Sequence, residues 1–192
     1  MRAWLEATPE DFRFVVKAQR GGSYRALTGD PIASFDWLTP PFRLFGKRLG
    51  SVLFRIPGEV RRDDDRLAAI LAAWPGDLPL TIECQDPSWR VDETYDLLRA
   101  SGAAWCTTET DDDAEPPPID VVGRWLYLRL RRTTYTSEEL RAWAARLTPF
   151  LAAGHDAYVF FRHDADGTSA LRAIQLGELV AARLAAEAAL AE

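Results

Sequence analysis

Leu80-Thr-Ile-Glu-Cys-Gln-Asp-Pro-Ser-Trp89 is the stretch on which the fold turns. Its first six residues alternate, so Leu80, Ile82 and Cys84 share one face of a strand while Thr81, Glu83 and Gln85 share the other. Asp86-Pro87-Ser88 then makes a turn that launches a helix. A strand flanked by helical sequence is normally apolar on both faces. Here one face carries a carboxylate and an amide, which calls for a polar space in front of it.

Working outward, residues 12–18, 51–56, 103–109, 125–131 and 157–163 read as further strands. Residues 63–74 form a helix with acids in its first turn and Pro75-Gly76 at its end. Residues 92–100 form a short helix with Tyr95 and Leu98 inward. Thr136-Ser-Glu-Glu139 is a capping box that opens a helix through Leu151, closed by Gly154. An Ala-rich helix follows from Thr168 towards the end of the chain, with Leu171, Ile174, Leu179 and Leu184 on one side. Residues 4–11 are polar and turn-like, Gly21-Gly22 reads as a turn, and a helix between residues 24 and 47 breaks at Pro40-Pro41. Pro116-Pro117-Pro118 excludes a helix from the acidic stretch 110–120, which reads as a solvated loop.

Strands alternating with helices imply βα units and a parallel sheet. About six units are visible, against the eight of a complete (β/α)₈ barrel. The expected fold is therefore α/β, an incomplete TIM-barrel-like parallel sheet forming a single domain over residues 1–192. An open doubly wound sheet competes, but no GxGxxG or GxxxxGK[ST] phosphate loop occurs.

With 23 Lys and Arg against 29 Asp and Glu, the chain carries a formal charge of −6, which argues against nucleic acid or an anionic membrane surface as partner. No apolar run approaches the ~18 residues of a membrane span, and Met1-Arg-Ala-Trp-Leu-Glu6 lacks the apolar core of a signal peptide. Cys84 and Cys106 have no CxxC spacing and read as buried thiols, so a cytoplasmic location is expected.

The strand faces that must look away from the helices assemble a polar set. It comprises Lys17, Arg55 (opposite Val52, Phe54 and Ile56), Glu83 and Gln85. Tyr127, Arg129 and Arg131 (opposite Leu126, Leu128 and Leu130), Tyr158 and Arg162 complete it. Clustered arginines are costly unless paired or supplied with an anion. One glutamate does not neutralise all of them, so an anionic small molecule is the expected ligand. Arg55, Gln85, Tyr127, Arg129, Arg131 and Arg162 are the binding candidates, with Glu83 and Lys17 as catalytic candidates. A structural ion pair between Glu83 and Arg55 or Arg129 is the competing reading. His155 and His163 are the only histidines and no H-x-x-x-H or cysteine cluster occurs, so neither a metal nor a cofactor is expected.

The motifs resemble the YecE-like family, domain of unknown function seventy-two. Phe12-Arg-Phe-Val-Val-Lys-Ala18 is similar to its F-x-F-x-x-K-A strand, and Leu49-Gly-Ser-Val-Leu-Phe-Arg-Ile-Pro57 to L-G-x-V-L-F-Q-L-P. Thr81-Ile-Glu-Cys-Gln-Asp-Pro-Ser-Trp89 resembles E-F-R-H-x-S-W, and Tyr127-Leu-Arg-Leu130 with Tyr135 resembles its Y-x-R-L strand and downstream tyrosine. Tyr158-Val-Phe-Phe-Arg-His-Asp164 fills the place of its last strand. The resemblance implies a TIM-like barrel and no particular reaction. The family's opening G-x-S-G-W and V-E-I-N-x-T-F-Y strands have no counterpart here, so the first two βα units are expected to be absent. The family's Arg-His after the glutamate is Gln85-Asp86, and its His-Gly after Y-x-R-L is Arg131-Arg132.

Two functions of different class compete. One is an enzyme or binding barrel for a phosphoester or sugar acid. The other is a divergent or truncated barrel without chemistry, acting through an interaction surface. In the second, the strands at residues 12–18 and 157–163 are open edges and the chain self-associates through them.

Overall fold

The computed structural model describes residues 2–191. Strands and helices alternate in the order α1 (Arg2–Glu6), β1 (Phe14–Lys17), α2 (Arg20–Thr28), α3 (Pro31–Leu38), β2 (Leu49–Ile56), α4 (Asp64–Ala73), β3 (Leu80–Cys84), α5 (Asp92–Ser101), β4 (Ala104–Glu109), β5 (Trp125–Leu130), α6 (Ser137–Ala152), β6 (Asp156–Phe161) and α7 (Thr168–Ala191). The strands follow one another across the sheet in chain order, from β1 to β6. The pairs β1–β2, β2–β3, β3–β4 and β5–β6 are parallel. This is an incomplete TIM-barrel-like α/β fold, with six strands where a full barrel has eight. The chain divides into two compact units, residues up to 106 and residues from 107 on.

In the first unit, α4 begins where Asp63 accepts the backbone N–H of Arg66, with Asp64 and Asp65 in the first turn. α5 ends at Gly102, whose φ of +74° is the left-handed conformation that favours glycine. Val52, Phe54 and Ile56 of β2 and Ile82 of β3 are fully buried. Phe35 of α3 meets Phe54 and Trp74 edge-on, and Tyr95 of α5 meets Trp105 of β4 in the same way. Gly21-Gly22, expected as a turn, lies instead in the first turn of α2. A Cβ on Gly22 would come within 2.9 Å of Leu38 Cδ1, so glycine here serves the close approach of α2 and α3. The connection from 24 to 47 holds two α-helices, and Pro40 opens a 3₁₀ segment, Pro40–Arg48. The turn-like start contains α1.

In the second unit, Thr136 and Glu139 close the expected capping box reciprocally. Leu126, Leu128 and Leu130 of β5 pack with Leu140, Trp143, Ala144 and Leu147 of α6 and with Leu176 of α7. The apolar side expected of α7 holds at Leu179 and is corrected at Leu171 and Ile174. Leu176, Leu179 and Val180 face that core, whereas Leu171 and Ile174 are 67% and 60% exposed. α7 carries apolar residues on two sides, and contact with α6 selects between them. No α-helix lies between β4 and β5, and Asp111 in that loop accepts from the Thr133 backbone and hydroxyl at 2.7 Å each. The acidic stretch is thus partly a structural tie, where a solvated loop was expected. Among the described residues no helix is long and apolar enough to cross a membrane.

Candidate functional site

Where β1, β2 and β3 end, their exits and α2 enclose a cavity of about 260 Å³. β1 contributes Lys17, and β2 contributes Arg55. Arg20, Ser23, Tyr24 and Leu27 of α2 follow the i, i+3, i+4, i+7 spacing that puts them on one helix face. The loop after β2 adds Glu59, and the first residue beyond β3 adds Gln85.

Local chemistry fixes these walls. The Gln85 N–H donates to Ile56 O at 3.1 Å and extends the β2–β3 ladder by one step. Asp86 then accepts from the Ser88 N–H at 2.9 Å and caps the 3₁₀ turn Pro87–Trp89. Trp89 is buried and its indole N–H donates to Val60 O at 2.8 Å, while the Arg62 N–H donates to Ser88 Oγ at 2.9 Å. These bonds hold the loop that carries Glu59 against the one that carries Gln85.

Glu83 is only 1% exposed and stands opposite Arg55 in the β2–β3 register. Arg55 Nε lies 3.7 Å from Glu83 Oε2, close enough for an ion pair but too far for a hydrogen bond, and Nε itself has no hydrogen-bond partner. Glu83 reaches the cavity through Arg55 and is not one of the side chains that line it. Next to it, Cys84 is a poor nucleophile. Burial, then Cys106 and Glu83, push its thiol well above the ordinary range.

Lys17, Arg55 and Gln85 of the sequence-derived set therefore share one cavity, with Glu83 behind Arg55. Tyr127, Arg129, Arg131 and Arg162 belong to the second unit. Tyr127 is buried, its ring 6.4 Å from Tyr158 and 5.2 Å from Phe160. Arg129 is half-buried on β5. Arg131 lies one residue beyond β5, where its N–H donates to Glu109 O at 2.9 Å. Arg162, read as a strand residue, follows the end of β6. Its guanidinium donates to Thr133 Oγ1 at 2.9 Å and lies 3.6 Å from Asp111.

Sequence reading missed Arg20, Tyr24 and Glu59 in the first unit, and Glu109 in the second. The spacing of Arg20, Ser23, Tyr24 and Leu27 was the available signal for a helix face, had Gly21-Gly22 not suggested a turn. Glu109 is 1% exposed at the end of β4 and accepts from Tyr135 Oη at 2.5 Å and Trp143 Nε1 at 3.2 Å. Arg132 lies 4.0 Å from Glu109 and 2.9 Å from Glu139. Burial, together with the bond to Glu109, drives the Tyr135 hydroxyl far above its usual range. Glu109 is a buried anchor for the β5–α6 connection. Among the described residues no group of three metal-ligating side chains comes together.

The profile of the family described as "Protein of unknown function DUF72" matches residues 1–191. The UPF0759 protein YunF of Bacillus subtilis strain 168 is 22% identical over 217 residues, covering 92% of this chain and 76% of YunF. A DUF72 family protein of Thermotoga maritima MSB8, TM1631, superposes with a TM-score of 0.78 at 20% identity, over 93% of this chain and 77% of that one. The crystal structure of another, EF0366 of Enterococcus faecalis V583, gives 0.73 at 20% identity, over 93% and 82%. At such identities the superpositions speak for the fold, and the profile match over the chain speaks for descent: the chain belongs to the DUF72 family.

Proposed function

We propose that this protein binds an anionic small molecule, a phosphoester or a sugar acid, in the cavity at the ends of β1, β2 and β3. The observation that carries the reading is the lining, where Lys17, Arg20 and Arg55 converge from three elements on one open space. Cations gathered on one open space suit an anion, and guanidinium forks suit carboxylate and phosphate oxygens. Arg55 is the best placed of the three, since Glu83 holds it from behind at 3.7 Å while its side chain keeps 35% exposure. In this reading Glu83 positions Arg55, and Lys17, which lines the cavity, is the candidate for proton transfer. Tyr127, Arg129, Arg131 and Arg162 form a second set, tested by the same titration.

Binding to the folded state alone raises the unfolding temperature, by the equivalent of about 2.7 kcal/mol at one hundred times Kd. Thermal unfolding in rising inorganic phosphate is therefore expected to shift upward in the wild type, and to shift little in Lys17→Ala or Arg20→Ala. Absence of a shift with phosphate and with a panel of carboxylates removes the reading.

A second reading rests on the sheet edges. Among the described residues β1 is paired only to β2, and β6 only to β5. Beside β6, Phe160, Leu171 and Ile174 are exposed. A parallel sheet open at both edges presents complementary strands to a second copy of the same chain. Light scattering that finds a monomer at all concentrations removes it.

A further inference from the structure

We infer that the ligand of the β1–β3 cavity is a monosaccharide phosphate, bound with its phosphate on Lys17, Arg20 and Arg55 and its hydroxylated chain between Tyr24 and the pair Glu59 and Gln85. The inference rests on the anion-binding reading above and narrows it.

The cations are the first argument. Lys17, Arg20 and Arg55 come from β1, α2 and β2 and approach the cavity separately. A carboxylate offers two oxygens and is satisfied by one bidentate arginine. A phosphate monoester offers three terminal oxygens and about two charges, which suits three independently anchored cations.

Size is the second. The cavity of about 260 Å³ lies below the ~300–1,000 Å³ of ordinary ligand pockets. That volume suits a short polyhydroxylated chain with its phosphate.

The rest of the lining is the third. Tyr24 lines the cavity with 56% of its surface exposed, an aromatic face free to cover the C–H side of a sugar. Glu59 and Gln85 are exposed side chains on the same lining, and they offer acceptors and a donor to hydroxyl groups. A site for inorganic phosphate alone would need none of these three. A site for an apolar phosphoester would not place a carboxylate on its wall.

The test is calorimetric titration of the whole chain with inorganic phosphate, a panel of three- to six-carbon aldose and ketose phosphates, glucuronate, unphosphorylated glucose and adenosine 5′-monophosphate. The best sugar phosphate is expected to bind at least tenfold more tightly than inorganic phosphate, and glucose not measurably. Tyr24→Ala and Glu59→Gln alter exposed side chains and are expected to abolish that tenfold advantage, read as the ratio of sugar-phosphate to inorganic-phosphate affinity in each variant. If phosphate binds and no sugar phosphate binds more tightly, the inference falls and the anion-binding reading stands. Preference for glucuronate or for the nucleotide overturns the inference in favour of a different anion. If nothing binds, both fall.

Discussion

The two compact units place cations at the ends of their strands and use them differently. In the second unit the contacts of Arg132 and Arg162 tie them to neighbouring loops and helices. Arg132 meets Glu139 and Glu109, and Arg162 meets Asp111 and Thr133. In the first unit, Lys17, Arg20 and Arg55 line an open cavity. A basic strand end is therefore not in itself a site. The acidic connection after β4 supplies Asp111 to Arg162, whereas the loop after β2 places its own acid, Glu59, on the cavity wall.

The largest effect that tests this contrast is on stability. Glu109→Ala strands the Tyr135 hydroxyl and the Trp143 indole N–H in the core and removes the acid facing Arg132. Leaving buried partners of a charged group unsatisfied costs about 3 kcal/mol. Urea unfolding is expected to show that loss for Glu109→Ala and none measurable for Lys17→Ala or Arg20→Ala. A Glu109→Ala protein within ~1 kcal/mol of wild type would mean that the buried network contributes little and the contrast fails.

Much of this was legible before the coordinates, where residues decide locally or by parity. Val52, Phe54 and Ile56 fix the facing of Arg55, and Leu126, Leu128 and Leu130 fix that of Tyr127 and Arg129. Thr136 and Glu139 announce their cap within four residues. The features that escaped are those chosen by a distant partner. Arg162 is engaged by Asp111, far back along the chain. Glu109 lies on the helix-facing side of β4, where parity expects an apolar residue, and only Trp143 and Tyr135 explain it. Gly22 looks like a turn until Leu38 is seen against it. Leu171 and Ile174 look like core until α6 claims the other side of α7.

The first unit's own buried polar contact is neutral, and its loss is expected to be milder. Ser51 Oγ and Thr81 Oγ1 lie 2.7 Å apart and fully buried between β2 and β3. Ser51→Ala is expected to cost about 1 kcal/mol, and adding Thr81→Val to restore part of it, because removing both partners is gentler than removing one. A double variant that is worse than the sum of its parts would show that this pair is more than a simple hydroxyl contact.

Acid sharpens the contrast in another way. Hydrogen bonds from Arg62 and Arg43 hold Asp64 and Asp77 below the usual carboxylate range, and Ser88 does so for Asp86. Thr133, Thr136 and Ser169 do the same for Asp111, Glu139 and Asp164. A carboxyl whose folded pKa is depressed contributes stability that is complete above its unfolded value, about 4, and is lost as pH falls through the folded one. Both units supply such groups. The unfolding temperature is thus expected to be flat with respect to them from about pH 6 to 8 and to decline below about pH 4. Decline on the alkaline side of that window, with none in acid, would contradict the assignment.

The smallest effect is expected at Arg162, and it separates the two kinds of cation most directly. Its guanidinium and the Asp111 carboxylate are each 51% exposed, at a separation of 3.6 Å. Exposed pairs of this kind contribute little, because solvent screens them and ordering two side chains opposes them. Arg162→Ala is therefore expected to leave the unfolding temperature within the scatter of replicate scans. Since Thr133 and Asp111 hold its Nη1 at the second unit, the same variant is expected to keep the full phosphate-induced shift that Lys17→Ala loses. If Arg162→Ala abolishes that shift while the apo protein melts normally, Arg162 exchanges Asp111 for the ligand. The division between a self-neutralised second unit and a ligand-seeking first unit would then be the wrong division.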